Sequence, residues 1–236
     1  MIKPIYRSVH PYQDNSYEKF KNYERFKFMI DIMTLNLSEA NSMLDIGCSK
    51  GEFFYAIQDE FDDISCTGIE PNEELITIGR SQENLTHVTF IQEDALSFNL
   101  DTQFDIVLMS GVLSLFDNID PPLENMQKHI KQGGKGYIFS GFNSNNIDVI
   151  VRYRNNEMDS EEWESGLNMF SLNTVEKSLS KLSSDIKFHQ FKMPIDLSPT
   201  NNPIKSYTLN TQEQGRIILN GANIIRDFYL IEFEKK

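Results

Sequence analysis

Acidic and glycine residues combine in one short stretch that could bind a cationic small molecule. The stretch reads Leu44-Asp45-Ile46-Gly47-Cys48-Ser49-Lys50-Gly51-Glu52-Phe53, with an acid in an apolar run and two glycines spaced Gly-x-x-x-Gly. Glycines let the backbone turn tightly and bring its amides close to a bound group. An acid before such a turn suits an amine-bearing or cationic ligand better than a diphosphate. An ordinary strand-to-helix turn is the alternative interpretation.

Two further acids follow apolar runs at regular intervals along the chain. Glu70 stands in Thr67-Gly68-Ile69-Glu70-Pro71-Asn72, and Asp94 stands in Glu93-Asp94-Ala95. An acid about twenty residues after a glycine turn can accept hydrogen bonds from both hydroxyls of a ribose. Asp94 could accept from the amino group of an adenine. Because ligands bind at the carboxyl ends of parallel strands, the three acids together predict one nucleoside-type site.

Strands and helices alternate along the part of the chain that carries these acids. Helical spacing over residues 16–37 predicts one or two amphipathic helices. The alternation that follows predicts a doubly wound, mostly parallel sheet. The predicted strands are 43–47, 64–70, 88–91, 104–110 and 135–140, the last after a Gly133-Gly134 turn, and the predicted helices are 52–61, 73–80 and 122–131.

The composition changes after Gly141. Residues 142–170 are rich in Asn and then in acids, and we interpret them as an excursion over the carboxyl ends of the strands. The pattern beyond them predicts a helix over 172–182, a strand over 186–191, a hairpin from 206–210 and 215–219, and a last strand over 228–233.

Together these segments resemble the class I S-adenosylmethionine-dependent methyltransferases, over about residues 41–141. The quoted acid-bearing segments carry the resemblance, with Phe104-Asp105-Ile106-Val107-Leu108-Met109-Ser110-Gly111-Val112-Leu113 and Gly133-Gly134-Lys135-Gly136-Tyr137-Ile138-Phe139. The resemblance implies an α/β, Rossmann-like fold: a seven-stranded, mostly parallel sheet whose last strand is antiparallel, with amino-terminal helices and an insertion after the fifth strand.

The resemblance also implies the organisation of the chain and the methyl donor. One domain over 1–236 would comprise an acceptor-side cap (1–40), a donor-binding core (41–141), an insertion or lid (142–170) and the last helix and strands with the hairpin (171–236). S-adenosylmethionine would be the donor and S-adenosylhomocysteine the product. The implied donor-binding residues are Asp45, Gly47, Cys48, Gly51, Glu70, Pro71, Asp94, Ala95 and Ser110.

The sequence departs from the family in two places. Ser49 stands where the loop often has its middle glycine, and Ser114 stands where related small-molecule enzymes often carry a histidine after the fourth strand. A serine cannot replace an imidazole as a base, so the base cannot be carried over from the family. The candidate catalytic residues are His10, Tyr12, Tyr17 and Tyr153.

A basic segment in the excursion is a candidate acceptor site. Arg152-Tyr153-Arg154 places two guanidinium groups around one ring, and such groups bind carboxylate or phosphate. Pairing with the acids at 157, 159 and 161 is the alternative. Asn143 and Trp163 are candidates for the same pocket, so the predicted acceptor-binding residues are Asn143, Arg152, Arg154 and Trp163.

Composition excludes several classes of partner. Lys and Arg number 22 against 35 Asp and Glu, a net charge of −13 that repels nucleic acid and anionic membranes. No metal-ligand spacing occurs, so we expect no metal. The amino end lacks a signal-peptide run and no apolar run is long enough to span a membrane, which predicts a cytoplasmic location. The oligomeric state stays open.

These observations predict methyl transfer from S-adenosylmethionine to oxygen or nitrogen of a small polar acceptor, anionic or sugar-related. A protein that binds the donor without catalysis, as a partner or regulatory subunit, is the alternative. A nicotinamide-dependent oxidoreductase on a related sheet is disfavoured, because Gly47-Cys48-Ser49-Lys50-Gly51 lacks the Gly-x-Gly-x-x-Gly spacing.

Overall fold

The structure is a computed structural model that describes residues 17–154, 163–165, 168–183, 185–200, 205–221 and 224–235. Its strands, in chain order, are β1 (Ser42–Ile46), β2 (Ser65–Ile69), β3 (Thr89–Ile91), β4 (Phe104–Ser110), β5 (Ile130–Phe142), β6 (Arg152–Tyr153), β7 (Glu164–Ser165), β8 (Ile186–Phe191), β9 (Tyr207–Thr211), β10 (Gly215–Leu219) and β11 (Asp227–Glu234). Its α-helices are α1 (Glu24–Glu39), α2 (Glu52–Ile57), α3 (Glu73–Arg80), α4 (Asp120–Lys128) and α5 (Leu172–Ser180), and a 3-10 helix spans Tyr17–Asn22.

Seven strands form one sheet in the order β3-β2-β1-β4-β5-β11-β8. The first five run parallel, and β11 lies antiparallel between β5 and β8. The predicted seven-stranded sheet with an antiparallel last strand is therefore confirmed. Chain order reverses between β1 and β4, and ligands bind beside such a switch at the carboxyl ends of the strands.

Alternate residues of the strands pack into two apolar layers, one on each face of the sheet. Met43 and Leu108 pack with the 3-10 helix, α1 and α2 on one face of the sheet, whereas Leu44 and Met109 pack with α4 and α5 on the other. Because successive strand side chains point to opposite faces, a strand covered on both faces is mostly apolar. This explains the continuous apolar runs that predict the strands.

The predicted turn at Gly133-Gly134 is wrong, because these glycines lie inside β5. Between its pairs with Ile130 and Lys135, β4 advances only from Phe104 to Ile106, so the intervening β5 residues form an irregularity. Gly133 has a φ of 74°, which a glycine adopts without strain. The strand therefore begins several residues earlier than the pattern predicts.

The excursion and the hairpin each form a two-stranded sheet that is separate from the seven-stranded one. β6 pairs antiparallel with β7, and β9 pairs antiparallel with β10, which confirms the predicted hairpin. Asn143, just after β5, bridges to Ser171 at the start of α5. The excursion therefore leaves and returns at the carboxyl end of β5, while the proposed boundaries at 40, 141 and 170 stay predictions.

Candidate functional site

The loop over residues 47–51, which we call the donor loop, joins β1 to α2 through left-handed backbone conformations. Gly47, Ser49 and Gly51 have φ of 78°, 54° and 83°. The Gly47 N–H donates to the Ile69 oxygen at 2.7 Å, which ties the loop to the end of β2. The loop is therefore fixed beside β2, the strand that Glu70 follows.

Close packing surrounds the start of the donor loop. A Cβ on Gly47 would lie 2.3 Å from Cγ2 of Val112, the second residue after β4, so both the φ and the space require glycine here. The Cys48 side chain is buried, and its Sγ lies 2.5 Å from the place of a Cβ on Gly68. Burial raises the pKa of the Cys48 thiol, which keeps it uncharged.

Glu70, directly after β2, is held by the main chain. Its Oε2 accepts from the Ser49 N–H at 3.1 Å and its Oε1 accepts from the Asn72 N–H at 3.0 Å. Burial raises the pKa of Glu70, while these two donors lower it. Each carboxylate oxygen has two lone pairs, so both can accept a further hydrogen bond. The main chain therefore fixes the carboxylate in place and leaves acceptor capacity for the predicted contact with a ribose.

Asp45 is a buried acid whose hydrogen bonding is incomplete. Only 3% of the residue is exposed, and Oδ1 has no hydrogen-bond partner within the described residues. Burial, followed by the charges of Glu52 and Glu70, raises the pKa of Asp45 to about 8. An unpaired buried oxygen costs free energy that a donor group or a cation would recover. Asp45 therefore has the chemistry of a ligand-binding acid.

The residues after β3 form a short turn beside these acids. Asp94 is half-buried, and its Oδ1 accepts from the Leu96 N–H at 2.7 Å. The Ala95 oxygen accepts from Nδ2 of the buried Asn125 at 3.1 Å. Pro71, after β2, is half-buried and accepts at its oxygen from Gln92 at 3.2 Å. These contacts orient the predicted adenine side of the site.

The end of β4 completes this edge of the sheet. Ser110 is half-buried, and the next residue, Gly111, has a φ of 74° and donates from N–H to the Phe139 oxygen at 2.8 Å. Ser114 is buried, and its main-chain oxygen accepts from the Asn168 N–H at 3.1 Å. The excursion thus covers Ser114, the position at which related small-molecule enzymes often carry a histidine.

Tyr17 lies against the donor loop. Its hydroxyl donates to the Lys50 oxygen at 2.8 Å, and the residue is 4% exposed. Burial, with the charge of Glu52 as the next cause, raises the pKa of the Tyr17 phenol. A phenol that already donates and resists ionisation is a poor general base, so its placement favours a positioning role.

Arg152, on β6, pairs with Asp117, which follows β4. The Arg152 Nη2 donates to Asp117 Oδ2, and the Arg152 Nη1 donates to the main-chain oxygen of Val151 at 2.9 Å. Asn168 braces the same place, because its Nδ2 donates to the Phe116 oxygen at 2.8 Å and its Oδ1 accepts from the Val151 N–H at 2.8 Å. The acids at 157, 159 and 161, which were the alternative partners, lie outside the described residues.

The other predicted acceptor residues divide between a loop and an exposed ring. Asn143 organises its own loop, since Nδ2 donates to the Ile147 oxygen at 2.9 Å and Oδ1 accepts from the Asn145 N–H at 3.0 Å. The Arg154 guanidinium carbon lies 5.5 Å from the centre of the Trp163 ring. Trp163 is 56% exposed, so it does not anchor the insertion in the core. Tyr153 is half-buried on β6, and His10 and Tyr12 lie outside the described residues.

Two residues at this edge were not predicted from the sequence. Glu52, the first residue of α2, is only 8% exposed and faces the loop through Ser49. Asn168 is fully buried between the excursion and the loop after β4. An acid at the start of a helix is ordinarily solvated, and one Asn in an Asn-rich segment does not differ from its neighbours. The sequence therefore held no signal that marked either residue as part of the site.

Within the described ranges, no group of three or more His, Cys, Asp or Glu side chains is arranged to hold a metal ion. Over those same residues, no helix has the length and hydropathy to cross a membrane.

The sheet order, the glycine loop and the row of acids define a Rossmann-like methyltransferase fold. Residues 44–135 match the family described as "Methyltransferase domain". The S-adenosylmethionine-bound amino pentose methyltransferase CalS10 of Micromonospora echinaspora has the same fold, with a TM-score of 0.56, 12% identity and 100% coverage of both chains.

Curated relatives agree with this match. A malonyl-[acyl-carrier protein] O-methyltransferase of Bacillus cereus is 24% identical over 50% of this chain and 46% of its own length. A dTDP-3-amino-3,4,6-trideoxy-alpha-D-glucopyranose N,N-dimethyltransferase of Streptomyces venezuelae is 27% identical over 44% of each. The chain spans about half the length of these two relatives. Together, fold and matches support assignment to the class I S-adenosylmethionine-dependent methyltransferases.

The residues fit the donor that this family uses. The glycine loop turns through left-handed backbone conformations, and Val112 fills the space beside Gly47. Beside it, Asp45 has an unpaired buried oxygen, and Glu70 is oriented by two main-chain donors. The nucleoside and the cationic amino-acid part of S-adenosylmethionine match these two acids in chemical type.

Proposed function

We propose that this protein transfers a methyl group from S-adenosylmethionine to an oxygen or nitrogen atom of a small polar acceptor, sugar-related or anionic. The observation that carries the proposal is a row of three acids at the carboxyl ends of three neighbouring parallel strands: Asp45 near the end of β1, Glu70 after β2 and Asp94 after β3. They lie beside a loop that turns through two glycines in left-handed conformations. S-adenosylmethionine, when bound, supplies a methyl group that is already activated. The protein's task is then to orient the acceptor and exclude water.

The acceptor side of the proposal rests on the excursion. Arg152 and Asp117 lie at the carboxyl edge of the sheet, and Arg154 and the exposed Trp163 extend the same segment. Guanidinium groups bind anions, and an exposed aromatic ring offers a flat apolar face to the ring of a sugar. The matches to an amino pentose methyltransferase and to an amino sugar dimethyltransferase support a sugar-related acceptor.

Proton removal from the acceptor depends on its reacting atom. An amine that binds in its neutral form attacks without a base and loses its proton after transfer, whereas a hydroxyl needs a base. Tyr153 remains a candidate base among the described residues, with His10 and Tyr12 at the amino end. Tyr17 is proposed to position the donor loop, because its phenol is buried and already donates to Lys50.

Calorimetric titration with S-adenosylhomocysteine, with NAD as the control ligand, tests the donor. Binding of the former alone supports the proposal, whereas no binding by folded protein contradicts it. Labelled S-adenosylmethionine with amino sugars, sugar acids and phosphorylated sugars then tests the acceptor. Transfer to any of them excludes a catalytically silent partner, and donor binding without transfer across the panel favours that alternative.

The remaining expectations concern the setting of the protein. Three expectations stay predictions from the acidic composition and the amino-terminal sequence. They are a small-molecule partner, the absence of nucleic acid and membrane partners, and a cytoplasmic location. Gel-shift assays test for nucleic-acid binding, and vesicle sedimentation tests for membrane binding. Both are done at low ionic strength, where electrostatic binding is strongest.

A further inference from the structure

Glu52 is a buried carboxylate beside the donor loop to which the proposed function gives no role. It opens α2, and only 8% of the residue is exposed. The Ser49 hydroxyl donates to Glu52 Oε1 at 3.4 Å, while the Ser49 N–H donates to Glu70 Oε2 at 3.1 Å. One residue of the donor loop thus links two carboxylates.

Asp45 is the third member of this group. It is 3% exposed, and its Oδ1 has no hydrogen-bond partner in the described part of the chain. The charges of Glu52 and Glu70 both act on Asp45, and the charge of Glu52 acts on Glu70. Asp45 is therefore within electrostatic range of both Glu52 and Glu70, and one of its buried oxygens is unsatisfied.

Two cations offset this repulsion in part. Lys50 and Arg25 both lower the pKa of Glu52, yet burial still leaves that pKa raised. The Lys50 ammonium lies 5.3 Å and 5.4 Å from the ring centres of Tyr17 and Phe20. Electrostatic interactions are strong where water is excluded, so a further positive charge would be bound tightly by these carboxylates.

We propose that Glu52 is a further acid of the donor site, that it binds a positive charge of the methyl donor, and that Ser49 positions it. This inference rests on the proposed function. S-adenosylmethionine carries two cationic groups, an ammonium and a sulfonium. S-adenosylhomocysteine carries only the ammonium, and 5′-methylthioadenosine carries neither, so the three ligands separate charge recognition from recognition of the nucleoside.

The proposal also accounts for a serine at the middle of the donor loop. A glycine would adopt the Ser49 φ of 54° without strain, whereas a residue with a Cβ does so at a cost. The serine adds the hydroxyl that holds Glu52, and a glycine could not supply it. Its main-chain bond to Glu70 would survive replacement by glycine, because only the side chain changes.

Titration of the three ligands into the wild type and Glu52→Gln tests the charge recognition. Loss of about tenfold or more in S-adenosylmethionine affinity, with 5′-methylthioadenosine unchanged within about twofold, is the expected result. A matching loss for S-adenosylhomocysteine assigns the ammonium, and no loss for it assigns the sulfonium. Unchanged S-adenosylmethionine affinity, or an equal loss for all three ligands, overturns the proposal. Glu83→Gln, at an exposed acid of the same charge, is the control.

Ser49→Gly provides the second variant. It removes the hydroxyl without removing the carboxylate or straining the loop, so we expect a smaller loss in the same ligand order and no fall in the unfolding temperature. A loss that is equal for all three ligands would contradict the positioning role of Ser49. Failure of the wild type to bind any of the three nucleosides would instead contradict the proposed function, which separates the two failures.

Discussion

The Tyr17 hydroxyl donates to the Lys50 main-chain oxygen at 2.8 Å across 33 residues of sequence, and both residues are buried. Tyr17 begins the 3-10 helix, and Lys50 belongs to the donor loop. The Tyr17 ring also lies 5.2 Å from the ring of Tyr55 on α2. The amino-terminal helical layer is thus connected directly to the loop that is proposed to hold the donor.

Replacement of Tyr17 by Phe should weaken both the fold and donor binding. The change leaves the buried Lys50 oxygen without this donor, so we expect a loss of about 1 kcal/mol in the free energy of unfolding. S-adenosylhomocysteine affinity should fall as the loop loosens. Urea unfolding and calorimetry measure the two effects. Tyr55→Phe is the control, because its hydroxyl donates to Glu18 away from the loop, and an equal loss of affinity there would contradict the prediction.

Replacement of Glu70 by Ala should weaken donor binding by roughly 1–3 kcal/mol, because a charged acceptor for buried hydroxyls is lost. The Ser49 and Asn72 amides lose the same acceptor, so part of the effect arises from the loop. Titration with S-adenosylhomocysteine measures the loss, against Glu83→Ala as an exposed acid. Affinity equal to the wild type would mean that Glu70 does not contact the donor.

Alanine variants of two glycines with similar φ distinguish the cost of backbone strain from the cost of steric overlap. Gly47 and Gly133 have φ of 78° and 74°, but only at Gly47 would a Cβ approach a neighbour, Cγ2 of Val112 at 2.3 Å. Gly133→Ala should cost about 1–2 kcal/mol in the free energy of unfolding, for strain alone. Gly47→Ala should cost clearly more. Equal losses in urea unfolding would show that Val112 gives way without cost.

Buried His129 should make the fold sensitive to acid. Its Nε2 accepts from the Leu100 N–H at 3.0 Å, and its Nδ1 lies 2.8 Å from the Asn125 oxygen. Burial lowers the pKa of His129 from its ordinary value of 6.5. The unfolded chain therefore binds the proton first, so this contribution to stability is complete above about pH 7 and is lost as the pH falls through and below about 6.5.

The variant His129→Gln tests this dependence. Its free energy of unfolding should fall less between about pH 7 and pH 5 than that of the wild type, because one group that protonates on unfolding is gone. The control is His87→Gln, which replaces an exposed histidine in the same way. Parallel pH profiles for His129→Gln and the wild type would contradict the assignment.

The amino-acid sequence by itself determined the order of strands and helices along the chain and three acids of the candidate donor site, Asp45, Glu70 and Asp94. These features are local: apolar runs define strands, and an acid after a strand such as Glu70 lies at its carboxyl end in any parallel sheet. The left-handed turns at Gly47 and Gly51 are equally local. An irregularity within a strand is not a local feature of the sequence. For that reason the pattern did not predict that β5 begins at Ile130, before Gly133.

Only the tertiary structure decided which side chains meet. Arg152 pairs with Asp117, Glu52 is buried beside Ser49, and Asn168 joins the excursion to the loop after β4. None of these contacts follows from residue type or periodicity, because each depends on how segments distant in sequence pack at one edge of the sheet. The backbone pattern is encoded locally, whereas burial and the partners of a charge arise from the whole fold.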